Sequence, residues 1–251
     1  MTKDQVALVT GSGRRRLGGH VAEALAARGF ALAIHYHSSA IEAAATADQL
    51  RRSGVEVEAF HADLALESEA SGLVDSTLAR FGRLDVMVNC AAIWEKCRLE
   101  EIKADDLRRH FEINVLGTFF CARAAGLAMA RQSEGGCIIN FGDWAITRPY
   151  LDHAAYFASK GTIPTLTRCL AVEFGTRNPR VRVNAILPGP VLLPAEMDLA
   201  ERSEVIDATL VRREGRPENV TQAVLYLIEN DFVTGDCLNV DGGRSIYAGG
   251  L

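Results

Sequence analysis

Seven short apolar runs, each followed by a segment with helical spacing, constrain this chain more than any other feature. The runs are QVALVT (5–10), ALAIHY (31–36), VEVEAFHA (55–62), LDVMVNCAA (84–92), GCIINF (136–141), VRVNAILPG (181–189) and GDCLNVDGG (235–243). Between them lie HVAEALAARGF (20–30), an Ala-rich stretch from Ala40 to Gly54, SEASGLVDSTLARFG (68–82), a long helical region over 103–132, one helix over 154–175 and a last helix over 217–230. Most runs are continuously apolar rather than alternating, the pattern of strands covered on both faces. Strand–helix alternation of this kind predicts an α/β fold: one doubly wound parallel sheet of about seven strands with helices on both faces, and one domain over 1–251. Open parallel sheets bind ligands beyond the C-terminal ends of their strands, so function is to be sought there.

The bulk numbers narrow the partners. A chain of 251 residues can bury a sizeable core. Its net charge of −5 points to neither nucleic acid nor an anionic membrane. The N-terminal MTKDQVALVTGSG passes from a short apolar run straight into a turn, unlike a signal peptide. No uninterrupted apolar run reaches the roughly 18 residues of a membrane span. Cys90, Cys97, Cys121, Cys137, Cys169 and Cys237 show no C-x-x-C or zinc spacing. They read as small core residues of a protein in a reducing, cytoplasmic compartment, and no metal is expected. The expected partner is a small molecule.

The first run ends in TGSGRRRLGG (10–19), and a helix follows at once. Glycines such as Gly11 and Gly18 let backbone N–H groups approach a pyrophosphate seated on the positive end of that helix. Arg14, Arg15 and Arg16 would crowd positive charge beside the same helix end, which is unfavourable unless an anion binds. The second run leads into HYHSS (35–39), where NAD sites carry an acidic residue; none occurs here before Glu42. His37, Ser38 and Ser39, with Arg14 and Arg15, suit a 2′-phosphate instead, so NADP(H) is expected over NAD(H). Ser38 or Ser39 equally suits the cap of the helix starting near Ala40.

Tyr156 and Lys160 are four apart in a helical segment and so share one face. An ammonium beside a phenol favours the phenolate and lowers its pKa, making Tyr156 a proton donor or acceptor for a reacting oxygen or nitrogen. The motifs TGSGRRRLG, HADL with Asp63 and Leu64, NCAA with Asn89 and Ala91, NVLG with Asn114, YFASK, LPGP with Pro188 and Gly189, and TGDCLNVDGG follow in order along the whole chain. With these motifs the chain resembles the short-chain dehydrogenase/reductase family. The resemblance implies a Rossmann-like fold, hydride transfer at nicotinamide and a homotetramer. It implies adenine contacts from Asp63 and Leu64, and cofactor contacts from Gly11, Asn89, Ala91, Pro188 and Gly189. It also implies a catalytic set of Asn114, a hydroxyl residue, Tyr156 and Lys160. In that set Lys160 also holds the nicotinamide ribose and Asn114 holds a relay water.

Where the family has a Ser, thirteen residues before the Tyr, this chain has Asp143. A hydroxyl donates to a carbonyl oxygen that becomes negative, whereas an ionised carboxylate repels it. An ionised Asp143 would also raise the pKa of Tyr156, opposing Lys160 and keeping the phenol protonated. The substrate expected first is therefore a heterocycle with N–H donors and a C=N bond to reduce, with Asp143 and Tyr156 supplying the proton. The alternative is a carbonyl reductase, of a 3-oxoacyl thioester or sugar ketone, working with Asp143 protonated. A non-catalytic regulator that kept the fold is the third reading, opposed by the intact Asn114, Tyr156 and Lys160.

The pteridine reductases resemble the chain most closely within the family. They share the Asp, an HYH-type end to the second strand, and the Arg16-Leu17-Gly18 ending of the first loop. The resemblance implies that Arg16 contacts pyrophosphate and pterin and that Trp94 sandwiches the pterin against the nicotinamide. The first loop is one residue longer than that pattern, at Gly13 and Arg14, and Cys90 replaces an Asn. Pro164 lies inside the expected catalytic helix, where it should kink it or cost about 3 kcal/mol. The segment RNPRVR (177–182) reads as a solvated loop, and His20, His61, His110 and His153 as ordinary residues. The tail RSIYAGGL is the kind that reaches a neighbouring subunit in this family.

Overall fold

The computed structural model describes residues 5–247. Its centre is one parallel sheet of seven strands: β1 (Val6–Thr10), β2 (Ala31–Tyr36), β3 (Val57–His61), β4 (Val86–Asn89), β5 (Gly136–Phe141), β6 (Val181–Pro188) and β7 (Cys237–Val240). Their spatial order is β3-β2-β1-β4-β5-β6-β7. The order reverses between β1 and β4, which opens a crevice at the C-terminal strand ends.

Successive residues of a strand face opposite sides, so one strand feeds two cores. Ala7 and Val9 of β1 face one of them. There they join Val21 and Leu25 of α1 (Leu17–Ala26), Leu50 of α2 (Ala40–Arg52), and Val224 and Leu227 of α9 (Pro217–Glu229). Val6 and Leu8 face the other, with Leu73 of α3 (Glu67–Phe81), Cys121 and Met129 of α5 (Thr118–Met129), and Phe174 of α7 (Ile163–Gly175). Both sides of the sheet are thereby covered, as the apolar runs require.

Three segments depart from the expected elements. The helical region over 103–132 divides into α4 (Ala104–Phe111), a π-helical turn over Glu112–Gly117, and α5. The single helix over 154–175 is two helices, α6 (Ala154–Lys160) and α7. Pro164 has no N–H to offer the carbonyl of Lys160, and the chain breaks there and restarts. Pro164 then occupies the first turn of α7, where its missing donor has no intrahelical partner to lose. The expected penalty is thus avoided by moving the helix start. Pro164→Ala should change stability by less than about 0.5 kcal/mol; a melting shift above about 3 °C would contradict this placement. The helix α8 (Leu199–Asp207) fills part of the loop that follows Gly189 and was not expected.

Arg182 corrects the reading of 177–182 as a solvated loop. It is a buried residue of β6, and its guanidinium donates to the carbonyls of Leu227 at 2.6 Å, Ile228 at 2.8 Å and Val233 at 3.1 Å. The last carbonyls of α9 lack intrahelical partners, and a buried cation satisfies them.

Candidate active site

The cofactor cradle begins where β1 ends. Gly11 has φ +66°, and a Cβ there would lie 2.9 Å from the Ala91 Cα. Gly18 faces the loop itself, where a Cβ would lie 2.7 Å from the Gly11 oxygen. Gly13 packs so closely on β2 that a Cβ would lie 2.8 Å from the Tyr36 Cβ. The loop is therefore tucked against β2 at Gly13. Helix α1 starts at Leu17 with no side-chain cap from Arg16 and no acidic residue in its first turn. Its first N–H groups and its positive end are free for an anion, and this donor set fits a dinucleotide pyrophosphate. Arg14, Arg15 and Arg16 are exposed at the same end; Arg14 lies 3.6 Å from Glu42 and Arg15 lies 3.9 Å from Glu23.

At the tip of β2, His37 and Ser38 are exposed and Ser39 is buried. Ser39 occupies the N-cap position of α2, yet its side chain makes no capping hydrogen bond. The capping role open to it in sequence is not used, which leaves the hydroxyl available. His37 Nε2 lies 3.9 Å from Asp63, and its ring stacks on His61 with centroids 5.9 Å apart. Asp63 Oδ1 accepts from Ala65 N, and Leu64 is buried beside it. Asn89 is buried inside the sheet, where its amide nitrogen donates to Asn140 Oδ1 at 3.0 Å and ties β4 to β5. Ala91 N donates to Thr10 Oγ1 at 3.1 Å. Pro188 ends β6, and Gly189 meets the residue after β7 so closely that a Cβ would lie 2.4 Å from the Asp241 Cα.

The reacting groups gather at the tips of β4 and β5. The π-helical turn places the side chain of Asn114 against the backbone of Ile93, which it both accepts from, at 2.8 Å, and donates to, at 3.1 Å. Such turns recur at functional sites. The Asn114 amide also donates to Ser159 Oγ at 2.9 Å, and Ser159 Oγ donates to the Tyr156 carbonyl at 2.7 Å. Ser159, absent from the sequence reading, thus links Asn114 to the catalytic helix. Lys160 Nζ donates to the Phe141 carbonyl at 2.7 Å. The Tyr156 hydroxyl donates to Asp143 Oδ2 at 2.7 Å, while Asp143 Oδ1 accepts from Ala145 N at 2.8 Å.

Burial is the largest influence on all three ionisable groups. It pushes the Asp143 carboxyl up, against the hydrogen bonds from Ala145 and Tyr156 and the charge of Lys160. Burial, then the charge of Asp143, holds the Tyr156 phenol well above its ordinary range. Burial draws the Lys160 ammonium down to about 8, with Asp143 opposing. The lowering expected from Lys160 is therefore outweighed, in the direction expected of a carboxylate at position 143, with burial as the larger cause. In this site the phenol is kept protonated by a low-dielectric setting and a carboxylate neighbour.

Trp94, half-exposed in the loop after β4, reaches across to the segment preceding α6. Its ring stacks on His153 with centroids 4.8 Å apart and 16° between planes, and Nε1 donates to the Tyr150 hydroxyl at 3.1 Å. One face of Trp94 is thus backed by His153. Tyr150 packs edge-on against His153 and Phe157. Tyr150 and His153 were missed because their contacts join loops distant in sequence. Of the tail RSIYAGGL, residues 248–251 lie outside the described residues; Arg148 Nη1 donates to the Arg244 carbonyl at 2.7 Å.

A helix end suited to pyrophosphate, beside a Tyr–Lys–Asn group at neighbouring strand tips, defines a nucleotide-dependent oxidoreductase. The family model described as Enoyl-(Acyl carrier protein) reductase matches residues 12–245. The 3-oxoacyl-[acyl-carrier-protein] reductase of Synechocystis is 32% identical over 246 residues, 97% of this chain and 98% of that protein. Acetoin dehydrogenase from Enterobacter cloacae has a TM-score of 0.87 at 33% identity, covering 97% of this chain and 96% of that one. A blue fluorescent protein from a metagenomic library, solved in complex with NADPH, has a TM-score of 0.87 at 32% identity, covering 96% and 97%. The chain belongs to the short-chain dehydrogenase/reductase family and is an NAD(P)-dependent oxidoreductase. These relatives lend the pteridine-type specificity no support.

Proposed function

We propose that this protein is an NADP(H)-dependent reductase of a small carbonyl compound, of the 3-oxoacyl thioester or ketone kind. What carries this reading is the whole-length likeness to a 3-oxoacyl-[acyl-carrier-protein] reductase and an acetoin dehydrogenase, while burial keeps the Tyr156 phenol protonated as the acid a reduction needs. The nicotinamide, when bound, supplies the hydride. Tyr156 then gives its proton to the oxygen, and Lys160 supports that transfer while it remains charged. Asp143 enters protonated: burial favours its neutral form, and a neutral carboxyl donates a hydrogen bond where the family has a hydroxyl. The names of the Synechocystis and Enterobacter relatives agree with carbonyl chemistry.

A second reading is favoured by one contact, the 2.7 Å bond from Tyr156 to Asp143. An ionised Asp143 suits a ring that offers N–H donors and a C=N bond, such as a dihydropterin, with Trp94 as one wall and Arg16 at the cofactor side. Loss of NADPH absorbance with a 3-oxoacyl thioester and with dihydrobiopterin, run in parallel, separates the two. Turnover of the thioester alone supports the first reading; turnover of the pterin alone replaces it with the second.

The preference for NADP(H) is supported by His37, Ser38, uncapped Ser39 and Arg14 at the tip of β2, and by the NADPH complex of a related structure. Ser39→Asp should place a carboxylate against the 2′-phosphate and raise KM for NADPH about tenfold or more, with KM for NADH unchanged. Equal effects on both coenzymes would remove Ser39 from 2′-phosphate recognition. No described helix is long and apolar enough to cross a membrane. A homotetramer, as the resemblance implies, in the reducing cytoplasm that the cysteine pattern suggests, completes the proposal, and sedimentation at micromolar concentration reads its assembly state.

A further inference from the structure

His35 lies one residue before the end of β2, with its ring buried beneath the phosphate loop. Its Nδ1 accepts from Gly11 N at 3.0 Å. With Nδ1 an acceptor, the other nitrogen carries the hydrogen, and Nε2 donates to the Ala62 carbonyl at 3.0 Å. The ring therefore bridges the first residue after β1 to the first residue after β3, across β2. The backbone of the same residue takes hold of the next two loop positions. The His35 carbonyl accepts from Ser12 N and Gly13 N, each at 3.1 Å, and His35 N donates to Ser12 Oγ at 3.2 Å. Ser12 Oγ in turn donates to the Val9 carbonyl at 2.6 Å. Every polar group of Gly11, Ser12 and Gly13 named here points inward, so the pyrophosphate is left to the N–H groups at the start of α1.

We propose that His35 is a positioning residue for the coenzyme pyrophosphate: its neutral ring sets the path of Gly11–Gly13, and that path aims the N-terminus of α1. The inference rests on the nucleotide binding of the family and is independent of the substrate. An aliphatic residue of similar size would leave the Gly11 N–H and the Ala62 carbonyl unsatisfied, and the loop would shift to recover them. An ionised ring would present Nδ1–H to the Gly11 N–H. Burial, the largest influence, holds the His35 pKa down at about 4 against the hydrogen bond to Ala62, and His37, His61 and Asp63 are the titratable groups that face it. The neutral tautomer is thus the working form around neutral pH.

The test compares His35→Leu, His35→Asn and His35→Gln with the wild type in the full chain. Coenzyme dissociation constants for NADPH and NADH come from reduced-nicotinamide fluorescence, and kcat is measured at saturating coenzyme. His35→Leu should weaken NADPH and NADH by the same factor, about tenfold, because pyrophosphate is common to both. At saturating coenzyme kcat should change far less. His35→Asn, whose Oδ1 can replace the acceptor for Gly11, should recover most of the affinity. His35→Gln, which reaches toward Ala62 instead, should recover less. Unchanged coenzyme affinity with a lowered melting temperature would make His35 merely structural and overturn the proposal. If the Leu variant does not fold, Gln binding coenzyme as well as or better than Asn would overturn it. Weakening of NADPH alone would assign the effect to the 2′-phosphate and not to the pyrophosphate.

Discussion

Tyr156→Phe is expected to lower kcat by about 10²–10⁴-fold, the range of general acid–base catalysis. The ring is buried and packs with Ala145, Phe157 and Trp144, so Phe fills the same space and the fold should persist. What disappears is the hydroxyl that donates to Asp143 Oδ2 and that serves as proton source in either substrate reading. Coenzyme affinity should change little, because Lys160 remains bound to the Phe141 carbonyl. Steady-state kinetics beside a coenzyme titration checks both halves. A variant with near-normal kcat would remove Tyr156 from the proton transfer. In the wild type the rate of reduction should fall as pH rises through about 8, where Lys160 in the coenzyme-free protein loses its charge. Tyr156, held well above its ordinary range, should still be protonated there.

Asp143→Ser carries the second large effect, and its sign depends on the substrate. With a carbonyl substrate, Ser restores a permanent donor where Asp143 donates only when protonated, so kcat/KM should hold or rise. The gain should be greatest at high pH, where the carboxyl is ionised. With a C=N heterocycle, Ser removes both the acceptor for ring N–H groups and the partner of the Tyr156 hydroxyl. The loss should then be about 10²-fold or more. Burial of Asp143 raises its pKa and so extends the protonated form to higher pH than an exposed carboxyl allows. The pH profiles of wild type and Asp143→Ser on one substrate measure how far. Identical profiles would mean that Asp143 does not titrate in the working range.

Much of this was legible before the structure. Each continuously apolar run became a strand of one parallel sheet, because only burial on both faces suits such runs. The i, i+4 spacing put Tyr156 and Lys160 on one short helix. A glycine directly after the first strand stood where the chain needs positive φ, at Gly11. These are local properties, and a single sequence carries them. The turn at Asn114 was missed because the region around it retains a helical residue pattern, whereas Pro164 marked a disruption that becomes a break between two helices. The role of Asp143 was legible as a conflict with the family's hydroxyl and as a proton-handling partner of Tyr156. Its pairing with Tyr156 shows what the conflict does to the phenol, and the relatives favour carbonyl chemistry over the heterocycle first inferred.

The order of residues alone therefore settles the alternation of strand and helix, the tight turn at Gly11 and the shared face of Tyr156 and Lys160. All follow from backbone stereochemistry and short-range period. Tertiary structure decides which histidine staples the phosphate loop, which serine links Asn114 to the catalytic helix, and how burial and Asp143 together hold the Tyr156 phenol. Each of these depends on groups 24, 45 or 13 positions apart meeting at 3 Å or less. At that range burial and hydrogen bonding outweigh any tendency a residue carries by itself.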